Sequence, residues 1–162
     1  MNEPYVYSEN DWKLLPPHEV LSLLPTQFGH ASAEADLWKL YERYMRRCRD
    51  YLIGRNRITF MFSTYVVKLP WTFDGFTDND WEGSISNIPD APYSDLEIQY
   101  ARTRLCYVGE IPVLFMERVE PLSGRRVVER FGYEPEWVSF VDCGQVGLTR
   151  SGRLVAYDYG LR

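Results

Sequence analysis

Apolar and polar residues alternate along the chain with two different spacings. From Ser32 to Ile53 the apolar residues recur every three or four positions, which predicts one long helix. Acids in its first turns and arginines near its end fit the helix dipole, and Gly54 is a natural stop. Residues 1–31 predict a loop-rich arm with one short helix over His18–Leu24.

Beyond Gly54 the spacing becomes strand-like. Arg57–Phe62 and Tyr65–Leu69 are rich in β-branched and aromatic residues and predict a hairpin. Leu105–Val108 and Ile111–Val119 predict a second strand pair, and the continuously apolar start of the latter indicates a central strand. Short helices are expected from Asp78 or Asn79 onward, over Asp95–Arg102 and over Arg126–Phe131. This order predicts an α+β fold with a mostly antiparallel sheet and a long N-terminal helix.

The C-terminal stretch Phe140–Arg162 predicts a tight hairpin. Its strands are Gln145–Thr149 and Arg153–Tyr157, joined by a turn at residues 150–152. Asp142 precedes the first strand and Asp158 follows the second, so antiparallel pairing brings both acids to one end of the hairpin. Two carboxylates there suit a divalent cation such as Mg²⁺. They also suit strand ends that stay solvated, because acids favour turns.

Composition narrows the function classes. Hydrophobic residues make up 45% of the 162 residues, enough for a core, and the length predicts a single domain: an arm (1–31), a helix (32–53) and an α+β body (54–162). A net charge of −5 argues against nucleic-acid binding. No apolar run could span a membrane and the N-terminus does not resemble a signal peptide, so a cytoplasmic location is expected. Three cysteines in no metal-binding pattern fit free thiols.

Three charged features have more than one interpretation. Lys68 lies in an apolar strand, which fits an edge position or a phosphate-binding lysine in a cleft. Glu82 stands three residues after Asn79, so it fits a capping box as well as a functional carboxylate. The arginines near the end of the long helix fit a solvated helix end or a contact with a partner; they are Arg46, Arg47 and Arg49.

The order of these features resembles the protein-kinase signature set. The stretches that carry the resemblance are VVKLP, GFTDNDWE and QVGLTRSGRLVAYDYG, which extend over residues 66–160. In kinases a lysine of the third strand pairs with a helix glutamate, a loop Asp and an amide follow, and an Asp-Phe-Gly triplet holds the metal. The chain is most similar to small kinase-like proteins of tailed bacteriophages.

The resemblance implies a role for each matching residue. Lys68 would contact the ATP phosphates, Glu82 would orient Lys68, and Asp158 would hold Mg²⁺ together with the amide of Gln145. The segment at Met116 and Glu117 would be the hinge beside adenine, and Asp142 would be the catalytic base.

The sequence also departs from the kinase pattern. Asp142 lies three residues before Gln145, whereas the kinase base lies five before the amide. Only Gly54 stands where several glycines normally cover the phosphates. The chain ends two residues after Gly160, so we expect no half that positions a substrate.

Three functional hypotheses follow. The leading one is a non-catalytic kinase-like protein that needs no cofactor and that binds and modulates or inhibits a host protein; abundant Tyr and Trp would supply interface anchors. The second is a minimal phosphotransferase that uses ATP and Mg²⁺. The third is an unrelated α+β protein, in which Lys68 and Glu82 would lie more than a side-chain length apart.

Overall fold

The protein is described by a computed structural model covering residues 31–85, 97–141 and 144–158. Its main sheet contains five strands: β1 (Asp50–Ile53), β2 (Arg57–Met61), β3 (Tyr65–Pro70), β4 (Thr103–Val108) and β5 (Ile111–Glu117). All neighbours pair antiparallel in the order β1-β2-β3-β5-β4. Both predicted strand pairs are therefore confirmed, and β5 is an interior strand, as its apolar sequence indicated.

A second, three-stranded sheet follows along the chain. Its strands are β6 (Val119–Leu122), β7 (Val146–Thr149) and β8 (Leu154–Ala156), in that spatial order and all antiparallel. The C-terminal hairpin prediction is confirmed by β7 and β8. The prediction of a single strand over Ile111–Val119 is wrong at its end. Strand β5 ends at Glu117, and Val119 is the first residue of β6, which belongs to the second sheet. Gly147 allows this pairing, since a Cβ there would collide with the backbone of Glu120.

The helices of the described ranges are α1 (Ala31–Met45), α2 (Phe73–Ser84) and α3 (Gly124–Phe131), with a 3₁₀ helix at Glu136–Phe140. The α+β class with an antiparallel sheet is confirmed. The short helix expected over Arg126–Phe131 lies within α3. The helix expected over Asp95–Arg102 is wrong for residues 97–102, where the backbone of Gln99 and Ala101 bonds to Ala156 of β8.

The long N-terminal helix over 32–53 is a wrong prediction. Helix α1 ends at Met45, and residues 50–53 form β1, in which Tyr51 pairs with Phe60 and Ile53 with Ile58. The side chains of Tyr51 and Ile53 pack against the core beneath α1. Their two-residue spacing fits a strand, whereas the predicted helical stripe continued through Cys48 to Tyr51 and Leu52. Tyr51 fits both patterns, so the periodicity did not separate them.

Helix α1 covers one face of the main sheet. Leu37 and Tyr41 are fully buried there against Phe60, Val67 and Leu69. This apolar cluster accounts for the periodic part of the helix sequence. The predicted helix His18–Leu24 and the rest of the arm lie outside the described residues, and the single-domain organisation stays a prediction.

Helix α2 covers the opposite face and begins earlier than predicted. Thr72, and not Asn79, caps its N-terminus by accepting a hydrogen bond from the Gly75 backbone. Gly83 allows α2 to lie close to the sheet, because a Cβ there would come within 2.7 Å of the Leu105 side chain. This close packing buries Asn79 and Glu82 completely. No helix of the described ranges is long and apolar enough to cross a membrane.

Candidate functional site

The face of the main sheet beneath α2 contains a cluster of four charged side chains, Arg57, Lys68, Glu82 and Asp158, named here the charge cluster. Three of them are almost completely buried, with exposures of 8% for Arg57, 5% for Lys68 and 0% for Glu82. Each comes from a different element: β2, β3, α2 and the residues after β8. The fold thus assembles the cluster from positions 101 residues apart in sequence.

Lys68 is at the centre of the cluster. Its Nζ donates hydrogen bonds to Glu82 Oε2 and to the backbone oxygen of Tyr157, both at 2.8 Å, and lies 3.5 Å from Asp158 Oδ1. An ammonium group has three donors, so these partners satisfy it. The third hypothesis expected Lys68 and Glu82 to lie more than a side-chain length apart, and this expectation is wrong.

Glu82 is the buried acid of the cluster. Its Oε2 accepts from Lys68, and its Oε1 accepts from Arg57 Nη2 at 2.8 Å. A capping role is wrong, because Glu82 stands near the end of α2 and its carboxylate faces the sheet. The full burial of a carboxylate is costly unless it is paired, and two cations pair with this one.

Arg57 is the member that sequence reasoning missed. Besides Glu82, its Nη2 donates to Asp158 Oδ1 at 2.5 Å, and its Nη1 donates to Asn79 Oδ1 at 3.3 Å. The signal was present: Thr59 pairs with Lys68 in the β2–β3 hairpin, so Arg57, two residues earlier, lies on the same face as Lys68. The strand was predicted, but its first residue, Arg57, was not predicted to be part of the site.

Asn79 is the second missed residue. Its Nδ2 donates to the backbone oxygens of Lys68 and Pro112, at 2.9 and 2.8 Å, and its Oδ1 accepts from Arg57. One amide therefore links α2 to both β3 and β5 and also holds the guanidinium. The sequence prediction began the helix near Asn79 and gave this residue a capping role, so its contacts with the sheet were not expected.

The charge cluster contains two cationic and two acidic side chains, and these neighbours shift the pKa values of Asp158 and Arg57. Burial alone would raise the pKa of Asp158, but the nearby Lys68 and Arg57 outweigh it and hold this pKa below its usual value. Burial likewise opposes the charge of Arg57, but Glu82 and Asp158 raise its pKa above the usual value. Within the cluster, Arg57 and Lys68 thus face Glu82 and Asp158. Asp78, with Oδ2 4.0 Å from Arg57 Nε, adds a third acid at the rim.

The other predicted site residues lie elsewhere or outside the described ranges. Asp142, the expected base, is outside them. Gln145 bonds through its backbone oxygen to Tyr157 and lines a cavity of about 540 Å³ between β6, α3 and the 3₁₀ helix. Met116 is buried, and Glu117 accepts hydrogen bonds from the Arg102 backbone and from Arg153 Nη2, at 2.8 and 2.7 Å. The hinge role of these two residues stays a prediction.

The surroundings of Asp158 do not fit a magnesium ion. A guanidinium and an ammonium group already lie within 2.5 and 3.5 Å of its Oδ1, and a divalent cation at this carboxylate would be repelled by both. Among the described residues, no three of the His, Cys, Asp and Glu side chains form a group that could hold a metal ion. Arg57 therefore pairs with the carboxylate to which the kinase resemblance assigns Mg²⁺.

Comparisons with known proteins give no relative for this chain. No family model, no curated protein and no solved structure matches it.

Proposed function

We propose that this chain is a non-catalytic, kinase-like binding protein that acts by contacting another protein. The observation that carries the proposal is Arg57, which bonds to both Glu82 and Asp158 in the charge cluster. A guanidinium in this position supplies within the chain the positive charge that a metal ion would bring. The cluster then holds elements together and does not process a nucleotide.

The kinase-like part of the proposal is supported by the partners of Lys68. In protein kinases a lysine of the third strand pairs with a glutamate of the following helix. Here Lys68 lies on β3 and its Nζ is 2.8 Å from Glu82 Oε2 of α2, the next helix. Asp158 follows the hairpin of β7 and β8, where the resemblance expects the metal-binding Asp.

The non-catalytic part is supported by how the same groups are occupied. A catalytic Lys68 needs a donor for phosphate, whereas its Nζ already donates to Glu82 and to the Tyr157 backbone and lies 3.5 Å from Asp158. In the stretch where the glycine-rich loop is expected, the chain reads Gly54-Arg55-Asn56-Arg57, and the side chain of Arg57 points into the cluster. Binding of Mg-ATP would have to break the Arg57–Asp158 pair first.

The binding part is supported by large exposed side chains. Phe73, Tyr107 and Tyr133 are 71, 58 and 64% exposed. Aromatic residues are enriched among the anchors of protein interfaces. By the resemblance to phage kinase-like proteins, the partner is a protein of the host cell.

The experiment is capture of partners from host lysate combined with a melting assay in ATP and Mg²⁺. We expect one partner to be retained after washing with salt and to bind the purified chain directly in a two-component titration. The melting temperature should not change with ATP. The test variant is Lys68→Met in the charge cluster. Its matched control is Lys39→Met, because Lys39 lies on the solvent-facing side of α1.

The alternative function is a minimal phosphotransferase that uses ATP and Mg²⁺. It is favoured by the Lys68–Glu82 pair, which active kinases also need. In this case Arg57 must leave Asp158 when the nucleotide binds, and Asp142 is the base. Transfer of labelled phosphate from ATP to any acceptor, lost in Lys68→Met and kept in Lys39→Met, would establish this function and refute the leading proposal.

A further inference from the structure

The end of α1 carries arginines that the charge cluster does not use. Residues 42–50 contain four arginines and two acids, in a chain whose net charge is −5. Arg43 and Arg47 are exposed there. The sheet adds two more exposed arginines beside this helix end: Arg104 of β4 and Arg118, which follows β5.

These arginines lie around a group of aromatic rings on the α1 face of the sheet, at the C-terminal end of α1. The Arg43 guanidinium lies 5.9 Å from the centre of the Tyr44 ring, and that of Arg104 lies 5.4 Å from the centre of the Phe115 ring. Arg118 Nη1 donates to the backbone oxygen of Phe62 at 2.6 Å. The arginine–aromatic surface consists of Arg43, Arg47, Arg104 and Arg118 with Tyr44, Phe62, Tyr65 and Phe115.

The arginines of this surface are not paired with carboxylates of the described part of the chain. None of its four guanidinium groups forms a salt bridge with a carboxylate of the described residues. Arg57 shows the opposite behaviour, with both of its close carboxylates inside the protein. Arginine forks match carboxylates in geometry and charge, so the surface is complementary to an acidic ligand.

The ring geometry decides between an acidic protein segment and a nucleic acid. Single-stranded nucleic acids are bound by stacking bases on free aromatic faces. Here Phe62 and Tyr65 stack on each other, with centroids 4.7 Å apart and planes 10° from parallel. Arginines lie over Tyr44 and Phe115. The net charge of −5 also repels a long polyanion, whereas a short acidic segment responds to local charge within about 10 Å.

We propose that the arginine–aromatic surface binds an acidic, aromatic-containing segment of a partner protein. Tyr65, 38% exposed, supplies apolar contact at the centre, and the arginines pair with carboxylates around it. The inference rests on the proposed binding function and names its contact surface and the chemistry of its partner.

The test is fluorescence anisotropy with a labelled twelve-residue peptide of alternating Glu and Tyr. Its controls are the Gln-Tyr peptide of the same length and a twelve-nucleotide thymidine strand. We expect saturable binding of the Glu-Tyr peptide, weakened by added salt, and at least about tenfold weaker binding of both controls.

Charge reversal locates the binding. Arg104→Glu and Arg47→Glu should each weaken peptide binding about tenfold, whereas Arg104→Lys should weaken it less. Arg55→Glu is the matched control, since Arg55 is exposed in the β1–β2 turn, at the far end of β2 from Phe62, and should bind as the wild type does. Circular dichroism melting checks that each variant folds; if one reversal does not fold, the other decides.

Several outcomes would overturn the inference. They are no binding of the Glu-Tyr peptide, equal binding of the Gln-Tyr peptide, equal effects of Arg55→Glu and Arg104→Glu, and tighter binding of the thymidine strand, which would assign the surface to nucleic acid. Phosphate transfer from ATP with peptide binding intact would refute the non-catalytic proposal and leave this surface standing.

Discussion

The two faces of the main sheet differ in the side chains that they bury beneath their helices. Under α1 the contact is apolar, with Leu37, Phe60 and Val67 completely buried. Under α2 apolar residues such as Trp81, Leu105 and Leu114 also pack together. This face differs in that it additionally buries charged and paired side chains, those of Arg57, Lys68 and Glu82. An apolar face needs only matching volume, but a charged one needs every partner in place, because a buried unpaired charge is costly. The α2 face is therefore the more demanding one to preserve.

The largest expected effect comes from breaking the charged face. Glu82→Gln leaves the buried Lys68 with Asp158, whose side chain is 39% exposed, as its carboxylate partner, and leaves the buried Arg57 with Asp158 and the more distant Asp78. We expect a loss of about 3–5 kcal/mol in the free energy of unfolding. Urea denaturation measures it, with the exposed Glu120→Gln as the control. A loss below about 1 kcal/mol would mean that the cluster does not hold α2 to the sheet.

The apolar face gives the next effect. Leu37→Ala removes a fully buried side chain from the core beneath α1 and should cost about 2–4 kcal/mol through lost burial and the cavity left behind. Leu52→Ala is the control, because Leu52 is 39% exposed. The cost of Leu37→Ala should be the same at low and high salt. A strong salt dependence would contradict the distinction between the faces.

A smaller effect tests how closely α2 must approach. Gly83→Ala places a methyl group 2.7 Å from the Leu105 side chain, so α2 or Leu105 must move. We expect a net loss of about 1–2 kcal/mol after the better helix propensity of Ala is included. Chemical denaturation of Gly83→Ala and of its neighbour Ser84→Ala separates the cost of the contact with Leu105 from the gain in helix propensity. Stabilisation by Gly83→Ala would show that the packing is loose.

The smallest effect concerns Asp158, whose side chain is 39% exposed and screened by solvent. Its pKa is lowered in the folded state, so its stabilisation is present above the unfolded pKa of about 3.9 and is lost as pH falls through the folded value. Asp158→Asn should therefore cost about 1 kcal/mol at pH 6, and the difference from wild type should shrink below about pH 4. The Leu37→Ala difference should stay constant over this range. A constant Asp158→Asn difference would contradict the ion pairing.

The sequence predicted the hairpins better than the helix ends. Short apolar runs in β2, β3, β7 and β8, rich in β-branched or aromatic residues and separated by turns, indicated strands. Tyr51 fits both a continued helix and a strand, and its pairing with Phe60 of β2 makes it part of a strand. No local spacing records that choice, because it depends on contacts with residues that follow in the chain.

The candidate site was predicted in part. Lys68, Glu82 and Asp158 were named from their order, and the structure brings them into contact. Arg57 and Asn79 were not named as site residues, because each has an ordinary local explanation, as a strand start and as a helix cap. Their contacts depend on how α2 lies against the sheet. The glycines of α2 allow this close packing, and no linear motif predicts it.

The central claim is that the charges of Lys68 and Asp158 are satisfied within the protein, by Glu82 and Arg57. Calorimetric titration of ATP with Mg²⁺ into the wild-type chain tests it most directly, with Lys68→Met as the paired variant. The account predicts no saturable heat in either protein. Saturable binding to the wild type that Lys68→Met abolishes would contradict it, because ATP would then have displaced the internal partners of the cluster.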